Sequence, residues 1–532
     1  MGNPIGNLPE YCEAMEAKSN GIGACIWDWV DQSIYSAADI KSGNLTKNGF
    51  PLFKTGYDFP GPHQGNFCNN GILTADRQIT AKYAEVKQVY SPVQFPAIAA
   101  DKKTVSVKNK YAFSDLSRRG LKWAVLKNGV EVESGTADMP AVEAGNTGTV
   151  EVPWTTVVDD ADAEYLLNVA AVTLDDAAWA EAGHKVSQAQ FTIQERAAMP
   201  AAETTDGTLS TSKSGFNTTV ATADGSISAT FNSITNNLAK LTMAGVDVLT
   251  TVASAPVYNN FRWIENDRTT EQETESGIGK KTTTITDNTQ SVTASIDHEG
   301  TKCPYTLDYT VYASGVMDIK ATFCPVADNL RRIGLSMRLD SDWSNVEYYG
   351  RGPWENYVDR KAGCFLGAYK TTIDDMFEAY SHPQSHGNRE DLRELRLVNA
   401  GGDTLLFETD GRVAFSISRY DETAFSAEEL HPWNLSKSAR YAYLHFDYMQ
   451  RGIGNASCGG VGPLDKYLCP SSGEYTYTLR VKMLRNSNPD AITSVAADRK
   501  SDGAVYDLQG RRVNDTRRPG IYIINGKKVV RK

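Results

Sequence analysis

The sequence predicts a mainly β protein built from two sandwiches, with a short α/β segment in front and a small β tail behind. Three observations carry this. Tyr305, Leu307, Tyr309 and Val311 alternate with Thr306, Asp308 and Thr310. Met317, Ile319, Ala321 and Phe323 alternate in the same way after Ser314-Gly315. A period of two is that of a strand with one buried face. Asn128-Gly129 separates two strand-like runs, a strong signal for a two-residue hairpin. Aromatic residues reach 10%, with 25 Tyr and 9 Trp, types that suit a pleated surface.

Residues 1–92 read as α/β. Tyr11 to Ala17 is a helical stretch closed by Ser19-Asn20-Gly21. Gly23-Ala24-Cys25-Ile26-Trp27 is a continuous apolar run, expected as a strand buried on both faces. Ile79 to Tyr90 is a second helical stretch, ending before Ser91-Pro92. From 93 to 197, short strands and turns suit an immunoglobulin-like sandwich. Its hairpin is 121–126 with 130–132, and 164–174 and 188–193 are further strands. Ala197 to Asp206 is an Ala/Thr/Pro-rich linker. Residues 207–486 are strand-dominated and suit a large antiparallel sandwich. A two-residue turn at Ser314-Gly315 would pair residues whose numbers sum to about 629 and set Cys303 nearly opposite Cys324. A shifted register would bring those two thiols into bonding range. Residues 493–532 hold two strand-and-turn units.

The 532 residues are enough for three or four domains, each with its own core. Lys+Arg 54 against Asp+Glu 65 leaves −11. A net acidic chain with no basic cluster argues against nucleic acid and anionic membrane as partners. No apolar run is long enough to span a bilayer. Eight cysteines without a CxxC pair argue against a zinc ribbon or a thioredoxin-type site. Met1-Gly2-Asn3-Pro4 has neither a basic nor an apolar leader region. No signal peptide is expected here, and the stretch as given would stay cytoplasmic.

Four clusters could carry chemistry. Trp27-Asp28-Trp29-Val30-Asp31-Gln32 follows the apolar run, where side chains of an α/β barrel would form a site. An exposed Trp27 would stack on a sugar ring; the alternative is that Trp27 and Trp29 are core and Asp28 caps a turn. Asn66-Phe67-Cys68-Asn69-Asn70-Gly71 offers amides and a carbonyl for a hard cation or sugar hydroxyls, or is simply a turn. Residues 350–357 and 452–460 are glycine-rich loops without a phosphate-binding context. His382, His386 and His431 lack metal spacing and read as structural or solvated.

Taken together, these stretches resemble a known family. Trp27-Asp28-Trp29-Val30-Asp31-Gln32, Phe67-Cys68-Asn69-Asn70-Gly71 with Ala75-Asp76-Arg77, Trp179-Ala180-Glu181-Ala182-Gly183-His184, Gly352-Pro353-Trp354-Glu355-Asn356-Tyr357 with Asp359-Arg360, and Gly452-Ile453-Gly454 look like the lac-type β-galactosidases of glycoside hydrolase family 2. The matches keep the family's order from Met1 to about residue 486.

The resemblance implies that 1–92 is the C-terminal end of the (β/α)8 catalytic barrel. It makes 93–197 the immunoglobulin-like domain and 207–486 the large C-terminal sandwich. A full barrel takes about 250 residues. The family is retaining and uses two carboxylates about 5 Å apart. Its nucleophile precedes a Met-Gly-Asn segment, here Met1-Gly2-Asn3, so no catalytic residue is placed on this chain. Trp27 matches the active-site Trp. The Phe67 carbonyl and Asn70 match sodium ligands, and Asn70 also matches a galactose contact. Cys458 stands where the family has an aglycone-stacking Trp. Most magnesium ligands would lie upstream. The implied partners are a β-galactoside and the upstream region of the same enzyme, and a homo-oligomer is compatible with the resemblance. The tail 493–532 is similar to tails of secreted Bacteroidetes proteins, which implies a periplasmic or secreted parent. A different class of reading is a non-catalytic β-sandwich that binds carbohydrate or acts as a scaffold.

Overall fold

The computed structural model describes residues 2, 5–36, 38, 50–203, 205, 207–265, 267, 281–340, 342–426, 430–454, 462–486 and three strands within 505–531. Two compact units result, Met1–Arg485 and Asn486–Lys532. The second holds a three-stranded antiparallel sheet of Val505–Asp507, Gly520–Ile524 and Lys527–Arg531. Among the described residues, no helix is long and apolar enough to cross a membrane.

In the first unit, the described residues of the opening α/β segment include two helices, α1 (Leu8–Glu16) and α2 (Ala81–Val89). Thr80 caps α2 by accepting from the Lys82 amide, the role expected of a hydroxyl at that position. A small core of Leu8, Ile72, Leu73 and Val86 joins the helices to the loop between them. The run at residues 23–27 differs from expectation. It is not a strand, and Ile22 and Trp27 are 102% and 78% exposed. A two-sided buried strand needs parallel neighbours. Among the described residues its continuation has only isolated bridges, Val30 with Leu73 and Ile34 with Lys54.

Seven strands follow: β1 (Val93–Ile98), β2 (Thr104–Asn109), β3 (Arg119–Lys127), β4 (Val130–Asp138), β5 (Thr147–Glu151), β6 (Tyr165–Thr173) and β7 (Lys185–Gln194). They form a sheet β1-β2-β5 facing a sheet β4-β3-β6-β7. Between them lie Val105, Val107, Leu121, Trp123, Val125, Leu167 and Val169. Asn128 and Gly129, at φ 49° and 80°, make the two-residue turn between β3 and β4, with Lys127 opposite Val130. Positive φ at both positions is what a type I′ turn requires.

The large sandwich has a five-stranded sheet within 209–249 and a twelve-stranded sheet reaching from Val257 to Leu484. Strands Tyr305–Tyr312 and Met317–Phe323 alternate as the sequence predicts, with Leu307, Tyr309, Val311, Ile319 and Phe323 in the core. Their register is one residue off the prediction. Tyr305 faces Phe323 and Val311 faces Met317, so the loop has three residues and Gly315 takes φ 80°. A three-residue loop closed by a left-handed glycine fits the strand twist equally well. Cys303 and Cys324 remain unpaired thiols, and burial pushes Cys303 up to about 12.

The two sandwiches are tied together by polar side chains. Glu164 is buried and takes both Arg393 Nε and Nη2, at 3.0 and 2.9 Å. Tyr349 donates its hydroxyl to the same carboxylate. Gln190 donates to the Leu366 carbonyl at 2.8 Å and accepts from the Leu366 amide at 2.9 Å.

Inside the large sandwich, Asp447 accepts from Gln450 at 2.9 Å and lies 3.6 Å from Arg332, which also pairs with Glu422 at 3.0 Å. Burial pushes the Asp447 carboxyl up to about 7. The folded state therefore keeps a proton that the unfolded state releases near pH 4. Stability drains away as pH rises from there to about 7 and is then flat. Asp447→Asn removes this slope. Between pH 5 and 7 the variant should gain about 2 kcal/mol on the parent, from about 1.4 kcal/mol per pH unit. Urea titrations at the two pH values check it, and a constant difference would refute it.

Candidate functional site

The candidate site is built by two chain segments lying side by side. The Asp28 amide donates to the Asn70 carbonyl at 2.9 Å, Asp31 to Leu73 at 3.0 Å and Gln32 to Cys68 at 2.8 Å. In return, Ile72 and Leu73 donate to Asp28 and Trp29 at 3.1 and 3.0 Å. This ladder brings the two aromatic and amide clusters of the sequence together.

Gly71 sits at its tightest point. A Cβ there would lie 2.1 Å from the Asp31 nitrogen. Its amide donates to Asp31 Oδ1 at 2.7 Å, and Lys82 donates its ammonium to the Gly71 carbonyl. Burial raises the Asp31 carboxyl and lowers the Lys82 ammonium, while each charge steadies the other. The peptide next to Asn70 is thus clamped from both sides. Asp31 belongs to a cluster singled out in the sequence, whereas Lys82 was not singled out; its one signal is a charge on the buried side of a short helix.

Trp27 is 78% exposed and Phe67 47%, so both rings face solvent. Asp28 anchors the backbone by accepting from the Trp29 amide and from Gln32 Nε2. Trp29 packs edge-on against Tyr83 at 6.3 Å. The Asn70 side chain reaches the Phe67 carbonyl, its Nδ2 donating at 2.5 Å. The two expected sodium ligands are therefore neighbours, with the amide nitrogen presented to the carbonyl. Turning the Asn70 amide over would present Oδ1 instead, and two neutral oxygens suit part of a shell for a hard cation. No three His, Cys, Asp or Glu side chains among the described residues lie together as a metal centre. Cys458 lies outside the described residues.

The described residues of the glycine-rich loops of the large sandwich, 350–357 and 452–454, take a structural part. Asp359 accepts from the amides of Ile453 and Gly454 at 2.9 and 2.7 Å. The Asn7 amide donates to the Asp359 carbonyl at 2.9 Å. Gly6 packs so closely that a Cβ would stand 2.1 Å from Asp359 Oδ2 and 2.4 Å from the Gly454 nitrogen. Next to this latch, Glu355 and Arg360 form a buried pair at 2.6 Å. Glu355 also accepts from the Gly387 amide at 2.8 Å and from the Tyr380 hydroxyl. The histidines are structural too: His382 pairs with Glu265, His386 is buried, and His431 pairs with Asp58 at 2.9 Å. On α2, Glu85 accepts from the Gly363 amide at 2.9 Å, and burial pushes it up to about 7.

Three stretches of the chain match known families in the order of these units. Residues 1–95 match "Glycosyl hydrolases family 2, TIM barrel domain". Residues 105–194 match "Beta-galactosidase, domain 4", and 223–481 match "Beta galactosidase small chain". The chain belongs to glycoside hydrolase family 2. Three similar β-galactosidases bear this out. That of Priestia megaterium is 28% identical over 91% of the chain and 47% of the relative. That of Streptococcus thermophilus is 27% identical over 91% and 46%. That of Halalkalibacterium halodurans is 25% identical over 90% and 47%. The chain spans about half the length of these relatives. The resemblance read from the sequence is thus borne out at the level of the family. The clamped loop carrying Asn70 falls in the barrel match, and the latch joins that match to the small-chain match.

Proposed function

We propose that this family 2 chain supplies the galactose-facing part of a retaining β-galactosidase that hydrolyses terminal β-D-galactosides. The observation that carries the reading is Trp27, exposed beside the Phe67–Asn70 loop within the barrel-type match. The indole offers a face for the apolar side of a pyranose. The Asn70 amide offers a hydrogen bond to a hydroxyl. Phe67 through its carbonyl and Asn70 through Oδ1 would hold a sodium ion, whose contribution is a fixed positive charge beside the sugar.

Retaining hydrolysis needs an acid/base carboxylate and a nucleophile about 5 Å apart. The resemblance places both upstream of Met1-Gly2-Asn3, so residues 1–532 alone are expected to leave β-galactosides intact. The upstream region would then be the partner that completes the site. General acid/base help alone is worth roughly 10²–10⁴-fold.

The test compares this chain with a form extended upstream, on a chromogenic β-galactoside. Turnover by the short form within tenfold of the extended one would sink the proposal. In the extended form, Trp27→Ala should lower kcat/KM at least about tenfold, the loss of roughly 1.4 kcal/mol of binding. Its stability should change by no more than about 0.5 kcal/mol, as for other exposed positions. A variant with unchanged kcat/KM would remove Trp27 from the site. Galactoside binding without turnover in the extended form would favour the non-catalytic carbohydrate-binding reading.

A further inference from the structure

A cleft of about 860 Å³ opens between the outer face of sheet β4-β3-β6-β7, helix α2, the loop around Trp354 and the strand Phe365–Thr372. That size is ordinary for a ligand site. It does not include Trp27, Phe67 or Asn70.

One end of the cleft collects positive charge. The turn Gly183-His184-Lys185 gathers three amines. Lys122 Nζ lies 2.9 Å from where a Cβ on Gly183 would be, and Gly183 has φ 83°. Lys87 Nζ is 3.5 Å from His184 Nε2. Lys185 begins β7 on the same rim and, after burial, is what depresses the Lys87 ammonium. Among the described residues, no carboxylate forms an ion pair with any of the three. The one acidic lining residue, Glu131, faces Leu126, four residues along β3 from Lys122. At 3.3 Å per residue that is about 13 Å away. In a chain of net charge −11, three unopposed amines at one spot are conspicuous.

The rest of the wall suits sugar rings. Tyr83, Trp354 and Tyr369 line it, with the Asn168 and Gln188 amides. Exposed Trp179 stands edge-on to His184 at 5.6 Å, beside the amines. Aromatic faces beside amides bind pyranoses, and ammonium groups bind the acidic substituents some of them carry.

We propose that this cleft binds an acidic oligosaccharide, with its carboxylate or sulfate on Lys87, Lys122 and Lys185 and its rings along Tyr83, Trp354 and Tyr369. The assignment goes beyond the proposed hydrolysis and does not depend on it, because Trp27, Phe67 and Asn70 do not line the cleft.

Calorimetric titration of the full chain tests it with four probes: a galacturonate trisaccharide, a sulfated galactose trisaccharide, neutral galactotriose and inorganic sulfate. At least one acidic trisaccharide should bind tenfold or more tightly than both galactotriose and sulfate, and which one does so names the acidic group. The double variant Lys122→Gln/Lys185→Gln changes two exposed side chains, so its fold should persist. It should weaken the acidic probe at least tenfold. Trp354→Leu should weaken it severalfold while circular dichroism stays unchanged. Raising the salt should weaken binding as well, since exposed charges are screened. Equal binding of galactotriose, or binding unmoved by the lysine variant, would overturn the proposal. Sulfate alone matching the trisaccharides would reduce the cleft to an anion site and overturn it too. So would an indifferent Trp354→Leu, or loss of binding in the form extended upstream.

Discussion

Glu355→Ala should destabilise the large sandwich by about 3–5 kcal/mol, the usual cost of leaving one half of a buried ion pair behind. Arg360 is 1% exposed and its guanidinium meets Glu355 at 2.6 Å. Removal of the carboxylate also takes an acceptor from the Gly387 amide and the Tyr380 hydroxyl. Glu355→Gln keeps an acceptor and should cost roughly half as much. Urea unfolding with an unchanged slope is the measurement. The pH dependence has a definite sign. Burial raises the Glu355 carboxyl, but Arg360 and the hydrogen bonds around it bring it below its ordinary value. Its contribution is therefore complete above the unfolded value near 4.3 and is lost as pH falls through the lower folded value. Equal midpoints for parent and Glu355→Ala at pH 7 would refute this account.

Arg393→Ala should weaken the joint between the two sandwiches by about 3 kcal/mol. Glu164 would remain buried with only the Tyr349 hydroxyl against it. The guanidinium makes two parallel bonds to the carboxylate, at 3.0 and 2.9 Å. A lysine cannot reproduce that fork, so Arg393→Lys should recover less than half of the loss. A double-mutant cycle with Glu164→Gln isolates the pair. A coupling below about 0.5 kcal/mol would show that the joint relies instead on the Gln190–Leu366 bonds.

The features legible in the sequence are those set by neighbouring residues. Asn128-Gly129 named its turn because both positions must take positive φ. The alternation from Tyr305 to Phe323 named both strands and their buried faces. The loop joining them was misjudged by one residue, since Ser314-Gly315 suits a two- or a three-residue turn and only the strand twist decides. Residues 23–27 were misread because an apolar run says what a strand would bury and not whether partners stand beside it. The site was half legible. Trp27, Phe67 and Asn70 stood out by type and spacing. The clamping role of Asp31 and the whole part of Lys82 did not, because their partner is a backbone peptide brought close by folding. Glu355 and Asp359 stood in a recognised motif, but their buried structural roles did not show, and Glu85 was hidden because it answers an amide distant in sequence.

The packing of Gly6 and Asn7 against Asp359 and Gly454 has a consequence for biosynthesis. The contacting segments lie roughly 450 residues apart, and a ribosome adding about 5–20 residues per second needs some 20–90 s to make the second after the first. Over that interval the opening segment has no seat. Residues 21–27, with Ile22 and Trp27 bare even in the finished fold, are then most open to chaperones and proteases. The segment before α1 can settle only once the large sandwich has closed. Premature release anywhere before about residue 454 leaves Gly6 and Asn7 without the Gly454 side of this seat.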